Sequence, residues 1–157
     1  KNKKKLIVNC QSNSYNFGFN RADKYLNCEI LGLDEPEFRL LLNDKTENIK
    51  KLIFKNKRKF KNIGTLVVTT GKNGCHIFSK GRYYFVPSII KNMKDTTGSG
   101  DVFLTIFGIL NISKLFNVKE IAIISHIAAG IHGSYLGNNK SIDLIKLIQV
   151  TKNILNV

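Results

Sequence analysis

The run Thr65 to Thr70 constrains the fold most: every residue in it is β-branched or apolar, and it stops abruptly at Gly71. Such residues fit a pleated, buried surface, so this is the clearest strand signal in the chain. Gly74 then opens Cys75 to Ser79, and after Lys80-Gly81, a plausible tight turn, comes Arg82 to Pro87. The pattern predicts strand, hairpin, strand. Upstream, Leu6 to Cys10 reads as a short buried strand, Gln11 to Asn20 (with Gly18) as a polar loop, and Glu29 to Asp34 as a second strand. Pro36 stands where a first helical turn tolerates proline, and Glu37 to Leu42 continues that helix. Thr46 to Arg58 reads as an amphipathic helix with Ile49, Leu52, Ile53 and Phe60 on its apolar side. From Gly100 onward the spacing turns helical, over Gly100 to Leu110, Val118 to Leu136 and Ser141 to Leu155. Asn111-Ile112-Ser113 and Gly137-Asn138-Asn139 punctuate these stretches, with Gly137 placed to end a helix. Strands interleaved with helices predict an α/β layered fold with a largely parallel sheet. With no repeat and no linker, the chain reads as one structural unit.

At 157 residues, 43% of them hydrophobic, the chain can bury an ordinary core. Nothing resembles a secretory signal, and the apolar run Ile121 to Ala129, broken by Ser125 and His126, is too short to cross a bilayer. The expectation is a cytoplasmic protein without a membrane partner. A net charge of +14 points to an anionic partner, either nucleic acid or a phosphorylated ligand. The lysines, however, are scattered among Asn and Ile, as between Lys50 and Lys61, in the manner of an AT-biased gene. No aromatic residues interleave with Arg as in a base-stacking platform. The charge therefore reads as a solvated surface that at most steers anionic substrates inward, and nucleic acid is not the expected partner. Cys10, Cys28 and Cys75 are isolated thiols without CxxC spacing, which argues against both a disulfide framework and a structural zinc site. Cys75-His76 could supply two metal ligands, but no second pair stands at a suitable spacing, and buried strand cysteines are the expectation.

The chemistry concentrates in Asp95-Thr96-Thr97-Gly98-Ser99-Gly100-Asp101-Val102-Phe103. Two glycines separated by one small residue, just before an apolar helix, leave backbone N–H groups unobstructed. At a helix N-terminus those donors and the macrodipole form an anion site. Asp101 falls in the first helical turn. A carboxylate beside an anion nest is useful when a hydroxyl must lose a proton as it attacks the bound phosphate, the work of a general base. GSGD alone reads equally as an ordinary glycine-rich turn; the full string carries the assignment.

That string resembles the D-T-x-G-A-G-D-x-F signature of the ribokinase, or phosphofructokinase-B (PfkB), family of carbohydrate kinases, departing from it only in Ser99 for Ala. The resemblance implies that the amides of Gly98, Ser99 and Gly100 form an anion hole for the transferring phosphate, that Asp101 is the catalytic base, and that Thr97 is among the nucleotide contacts. Asp34-Glu35-Pro36-Glu37 is similar to the family's N-x-x-E element, with Asp34 for Asn and Glu37 retained. The resemblance gives both carboxylates a role around magnesium, whereas alone they would read as a solvated helix start. Thr69-Thr70-Gly71-Lys72-Asn73-Gly74 resembles the T-x-G-x-x-G turn under the nucleotide. Physically, a buried strand ending in glycines opens room for a ligand at its carboxyl edge, although a hairpin alone explains the same glycines. His126 to Gly137 resembles the family's late helix, which implies that Ala128, Ala129 and Gly130 let it pack close to the nucleotide and that His126 approaches the adenine. A helix-face histidine that binds nothing is the alternative.

The resemblance implies a three-layer ribokinase-like fold with a mostly parallel central sheet, of which residues 1–157 form only the C-terminal, nucleotide-binding half. Lys1 in place of Met fits a fragment. Val8 to Asn13 together with Asp34 to Glu37 is similar to the heptose-phosphate kinase branch, often joined to a nucleotidyltransferase. The implied function is ATP- and magnesium-dependent phosphorylation of a sugar or sugar phosphate. The alternative is a non-catalytic nucleotide-binding fragment, or one half of a two-chain assembly. An exposed sheet edge where the first half belongs predicts association with a second copy or with that half.

Overall fold

The computed structural model describes residues 5–11, 15, 18–89, 94–135 and 141–155. The sequence features at Lys1 to Lys4, Ser12-Asn13, Leu136, Gly137, Asn138 and Asn139 lie outside the described residues. Where the sequence reads as one unit, the chain divides into two compact ones: residues 1–71 with 75–85, and residues 72–74 with 86–157.

The first unit is built on a sheet of order β1-β2-β3-β4-β5. β1 (Ile7–Asn9), β2 (Cys28–Asp34) and β3 (Ile63–Thr69) run parallel, β4 (Cys75–Ser79) runs antiparallel to β3, and β5 (Arg82–Val86) completes the hairpin. The tight turn forms as expected, with Lys80 and Gly81 both left-handed at φ 49° and 76°. That geometry matches the strand twist of a two-residue hairpin. α1 (Glu35–Leu42) begins directly from β2. Asp34 Oδ1 accepts from Glu37 N at 2.8 Å while Asp34 N donates to Glu37 Oε2 at 2.9 Å, a closed capping box around Pro36. α2 (Ile49–Lys55) is shorter than its apolar pattern implied. Asp44 Oδ1 accepts from Thr46 N and Glu47 N, which holds those residues in a turn and moves the cap to Asn48. Phe60 therefore lies beyond the helix, buried with its ring 6.1 Å from that of Phe38. The two helices share one core with Leu31, Leu33, Leu66 and Val68 of the sheet. Cys10, Cys28 and Cys75 are buried and free, as expected. Burial pushes the Cys75 thiol up to about 12.

The second unit is helical: α3 (Ser99–Ser113), α4 (Val118–Gly133) and α5 (Leu144–Leu155). Asn111-Ile112-Ser113 does not interrupt α3 but forms its last turn; the reversal comes at Lys114, left-handed at φ 58°. α4 starts from an Asn117–Glu120 capping box and ends at Gly133, ahead of Gly137. Asp143 Oδ1 accepts from Ile145 N and Lys146 N, so α5 starts three residues after the expected Ser141. Ile124, Ile127, Ala128, Ile131 and Leu147 form the core, with Val102 and Ile106 of α3 packed against it. Among the described residues, no helix is long and apolar enough to cross a membrane.

The glycines after β3 divide sharply in role. Gly71 is left-handed at φ 55° with open space where a Cβ would stand. Gly74, at φ 117°, has Val86 O only 2.2 Å from that position, and Pro87 Cα at 2.7 Å. Gly74→Ala is thus expected to cost more than about 3 kcal/mol or prevent cooperative folding, against about 1–2 kcal/mol for Gly71→Ala. Denaturant midpoints of the two variants check this, and equal losses would contradict it.

Candidate active site

The residues singled out in the sequence fall into two groups, one in each unit. In the first unit, β2 and β3 run side by side with Asp34 opposite Thr69, so both stand at the carboxyl ends of adjacent parallel strands. Thr69 Oγ1 donates to Leu33 O at 3.5 Å. Thr70 follows the strand, and Gly71 begins a short 3₁₀ turn with nothing near its α-carbon face. Sheet ends of this kind are where parallel α/β sheets take ligands. Asp34 is exposed and Glu37 is buried at 8% exposure, and the capping box uses one carboxylate oxygen of each. Among the described residues no group of three or more His, Cys, Asp or Glu side chains could hold a metal ion. Magnesium does not require such a cage, since it keeps waters and commonly uses one or two carboxylates together with substrate phosphates. The Asp34–Glu37 pair fits that more modest donor set.

In the second unit the glycine-rich string forms a turn that runs straight into α3. Gly98 is left-handed at φ 74° and precedes the helix as its cap residue. Ser99 N donates to Thr96 O at 3.1 Å and Val102 N to Gly98 O at 3.0 Å, closing the first turn. The Ser99 amide is therefore spent within the turn, and the expectation of three amides in the anion hole reduces to those of Gly98 and Gly100. No Cβ-position contact lies within 4 Å of Gly100, which is exposed. Asp101 follows it in the first turn of α3, also exposed. The Ser99 side chain, where the signature has Ala, is 8% exposed and its Oγ has no hydrogen-bond partner among the described residues. A buried hydroxyl left unpaired costs about 1–3 kcal/mol.

The turn is tied down from behind by the end of α4. Gly133 O accepts from Lys94 N at 2.8 Å and from Asp95 N at 3.1 Å. Asp95 Oδ1 in turn accepts from Thr97 N at 2.9 Å. His132, 7% exposed, contacts Thr97 O through Nε2 at 3.1 Å. His132 was not anticipated from the sequence; the available signal was a second imidazole on a helix otherwise made of small and apolar residues.

Three positions expected at the nucleotide lie in the interior. Gly130 is buried within α4. Gly74 is filled around by the backbone of residues 86–88. His126 is 6% exposed, its ring 4.8 Å from that of Phe103 and its Nε2 without a partner among the described residues. Burial pushes this imidazole down to about 4, against a weaker opposing backbone hydrogen bond with Val86. It is neutral at pH 7 and packs on Phe103.

Comparison with known proteins adds a family to this geometry. The profile of the pfkB family carbohydrate kinases matches residues 1–107. The chain is 32% identical over 85 residues to the bifunctional protein HldE of a Nitratiruptor species, covering 54% of this chain and 18% of that protein. It is 30% identical over 98 residues to the inositol 3-kinase of Arabidopsis thaliana, covering 62% of this chain and 27% of that one. Among solved structures, the Arabidopsis thaliana ribokinase complexed with ribose and ATP aligns over 83% of this chain and 43% of its own, at 21% identity and a TM-score of 0.72. Phosphofructokinase-2 of Escherichia coli, in complex with potassium, aligns over 85% and 43%, at 14% identity and a TM-score of 0.72. The structural likeness establishes the ribokinase-like α/β fold. The chain spans about a fifth to a quarter of the curated relatives it matches and less than half of these structures. Two curated relatives with different names do not separate a heptose-phosphate branch from the rest of the family.

The environment of His126 has a pH consequence. Its native value of about 4 lies below the ordinary 6.5, so the unfolded chain takes up a proton that the native chain refuses. The contribution is intact above pH 6.5 and is lost as pH falls toward 4, on the order of 2–3 kcal/mol by pH 4.5. The thermal midpoint of the wild type is expected to fall several degrees more than that of His126→Leu between pH 7 and pH 4.5. Equal falls would contradict the assignment.

Proposed function

This chain belongs to the pfkB family of carbohydrate kinases, and we propose that it forms the nucleotide-binding and catalytic-base portion of an ATP-dependent kinase acting on a hydroxyl of a sugar or sugar phosphate. The observation that carries the reading is the run from left-handed Gly98 through open Gly100 to exposed Asp101 at the start of a 15-residue helix. The amides of Gly98 and Gly100 and the helix dipole stabilise the charge on the transferring phosphoryl group. The substrate hydroxyl oxygen attacks the γ-phosphorus, its proton passes to the Asp101 carboxylate, and ADP departs. Catalysis on these terms is positioning plus charge stabilisation.

Thr69, Thr70, Gly71, Gly74, Thr97, His126 and Gly130 are proposed as nucleotide contacts; exposure supports Gly71 and Thr97, while His126 and Gly130 are buried and Gly74 is closely surrounded by backbone. Magnesium would be held by Asp34 and Glu37 together with the nucleotide phosphates, and would neutralise charge on them. The residues that recognise the sugar are proposed to lie in the part of the kinase that this chain does not span. The working compartment consistent with such substrates is the cytoplasm.

A nucleotide-binding module without catalysis of its own is the second reading, favoured by the chain's coverage of only 43% of the ribokinase structure. Phosphorylation of any sugar by this chain alone would exclude it. For the leading reading, Asp101→Asn in the complete kinase is expected to lower kcat by about 10²–10⁴-fold with little change in the KM for ATP. A fall of less than about tenfold would show that Asp101 is not the base.

A further inference from the structure

The His132–Thr97 contact has a consequence for the anion-binding turn that follows from the peptide bond itself. A carbonyl oxygen can only accept, so at 3.1 Å it is the Nε2–H of His132 that donates to Thr97 O. Thr97 C=O and Gly98 N–H belong to one planar trans peptide unit and point in opposite directions. Holding the oxygen therefore fixes the direction of the amide. The rest of the turn is held at other points: Lys94 N and Asp95 N on Gly133 O, Thr97 N on Asp95 Oδ1, and Ser99 N on Thr96 O. None of these bonds sets the Thr97–Gly98 peptide plane. Gly98, at φ 74°, lacks the side chain that would otherwise limit rotation of that plane. Among the described residues it is His132, buried on α4, that restrains it through the carbonyl.

We propose that His132 is a positioning residue for phosphoryl transfer, holding the Thr97–Gly98 peptide so that the Gly98 N–H is presented to the transferring phosphate. The inference rests on the kinase reading for its purpose, but the restraint is a property of the free chain. It places no atom of His132 on the substrate. It also separates two residues of α4 that look alike in sequence: His126 packs on Phe103 with Nε2 unpartnered among the described residues, whereas His132 spends its Nε2 on the turn.

The test compares wild type, His132→Leu and His132→Gln, since Gln restores a donor where Leu offers none. Amide hydrogen exchange over residues 94–101 reads the restraint directly, and affinities for Mg·ADP and for a non-hydrolysable Mg·ATP analogue read its use. In His132→Leu, exchange at Thr97 and Ser99, whose amides are bonded within the turn, is expected to accelerate about tenfold or more, as loss of one buried hydrogen bond allows. Exchange in β3 should be unchanged. Affinity for the ATP analogue should fall about tenfold while that for ADP, which lacks the transferring phosphate, changes little. His132→Gln should recover most of both effects. Unchanged exchange in His132→Leu overturns the inference, as does an equal loss of both nucleotides that Gln fails to rescue. If the wild type binds neither nucleotide, the kinase reading of this chain fails, and the exchange comparison alone decides whether His132 sets the turn. Should His132→Leu not fold cooperatively, His132→Phe keeps the ring volume without the donor and takes its place.

Discussion

Gly98 lets the chain turn left-handed at φ 74° and enter α3 within one residue, and the chemistry proposed for this protein depends on that turn. A side chain there would cost about 1–2 kcal/mol for the conformation alone. Because the turn closes through Ser99 N on Thr96 O, the helix begins with its next amide at an exposed glycine and its first carboxylate at Asp101. The N-terminal end of a helix of this length carries a partial positive charge, so an anion and a carboxylate that must stay ionised are both favoured there. The end of α4 serves as the anvil: Gly133 O and His132 Nε2 hold the two sides of the loop.

The sheet-bearing unit orders its carboxyl edge, proposed above to face the nucleotide, by a different device. Parallel pairing of β2 with β3 sets Asp34 opposite Thr69, and the capping box turns the chain from β2 into α1 without a connecting loop. The same two carboxylates thus do structural work before any metal is considered. Glycine serves two opposite purposes a few residues apart. Gly71 leaves space open, and Gly74 lets the backbone of residues 86–88 approach closer than any Cβ would allow.

Much of this was legible in the sequence because it is written in local pattern. The β-branched run ending at Gly71, the Lys80-Gly81 turn, Pro36 in a first helical turn and the Asp95-to-Phe103 string each specify backbone geometry through residue type. The misreadings have a common cause, side chains competing for backbone groups or packing at long range. Asp44 drew Thr46 and Glu47 out of α2, and Ser113 Oγ, bonded to Leu110 O, closes a last turn of α3 that looked like a break. Gly74 and Gly71 are indistinguishable in one dimension, because what separates them is backbone from residues 86–88. His126 and His132 differ likewise only in what lies opposite them.

The central claim is that the exposed start of α3 receives a nucleotide phosphate, and Gly100 tests it most directly. Gly100 is helical, with open space around its Cβ position, so alanine there should leave the free chain as stable as before or slightly more so. The measurement is the thermal midpoint of wild type and Gly100→Ala with and without saturating Mg·ATP. At about 100 times its dissociation constant the nucleotide should stabilise the wild type by roughly 2.7 kcal/mol, a shift of several degrees. The account predicts that Gly100→Ala keeps the unliganded midpoint and loses most of that shift, since its methyl group occupies the space the phosphate needs. An equal shift in both proteins would place the phosphate elsewhere and contradict the account.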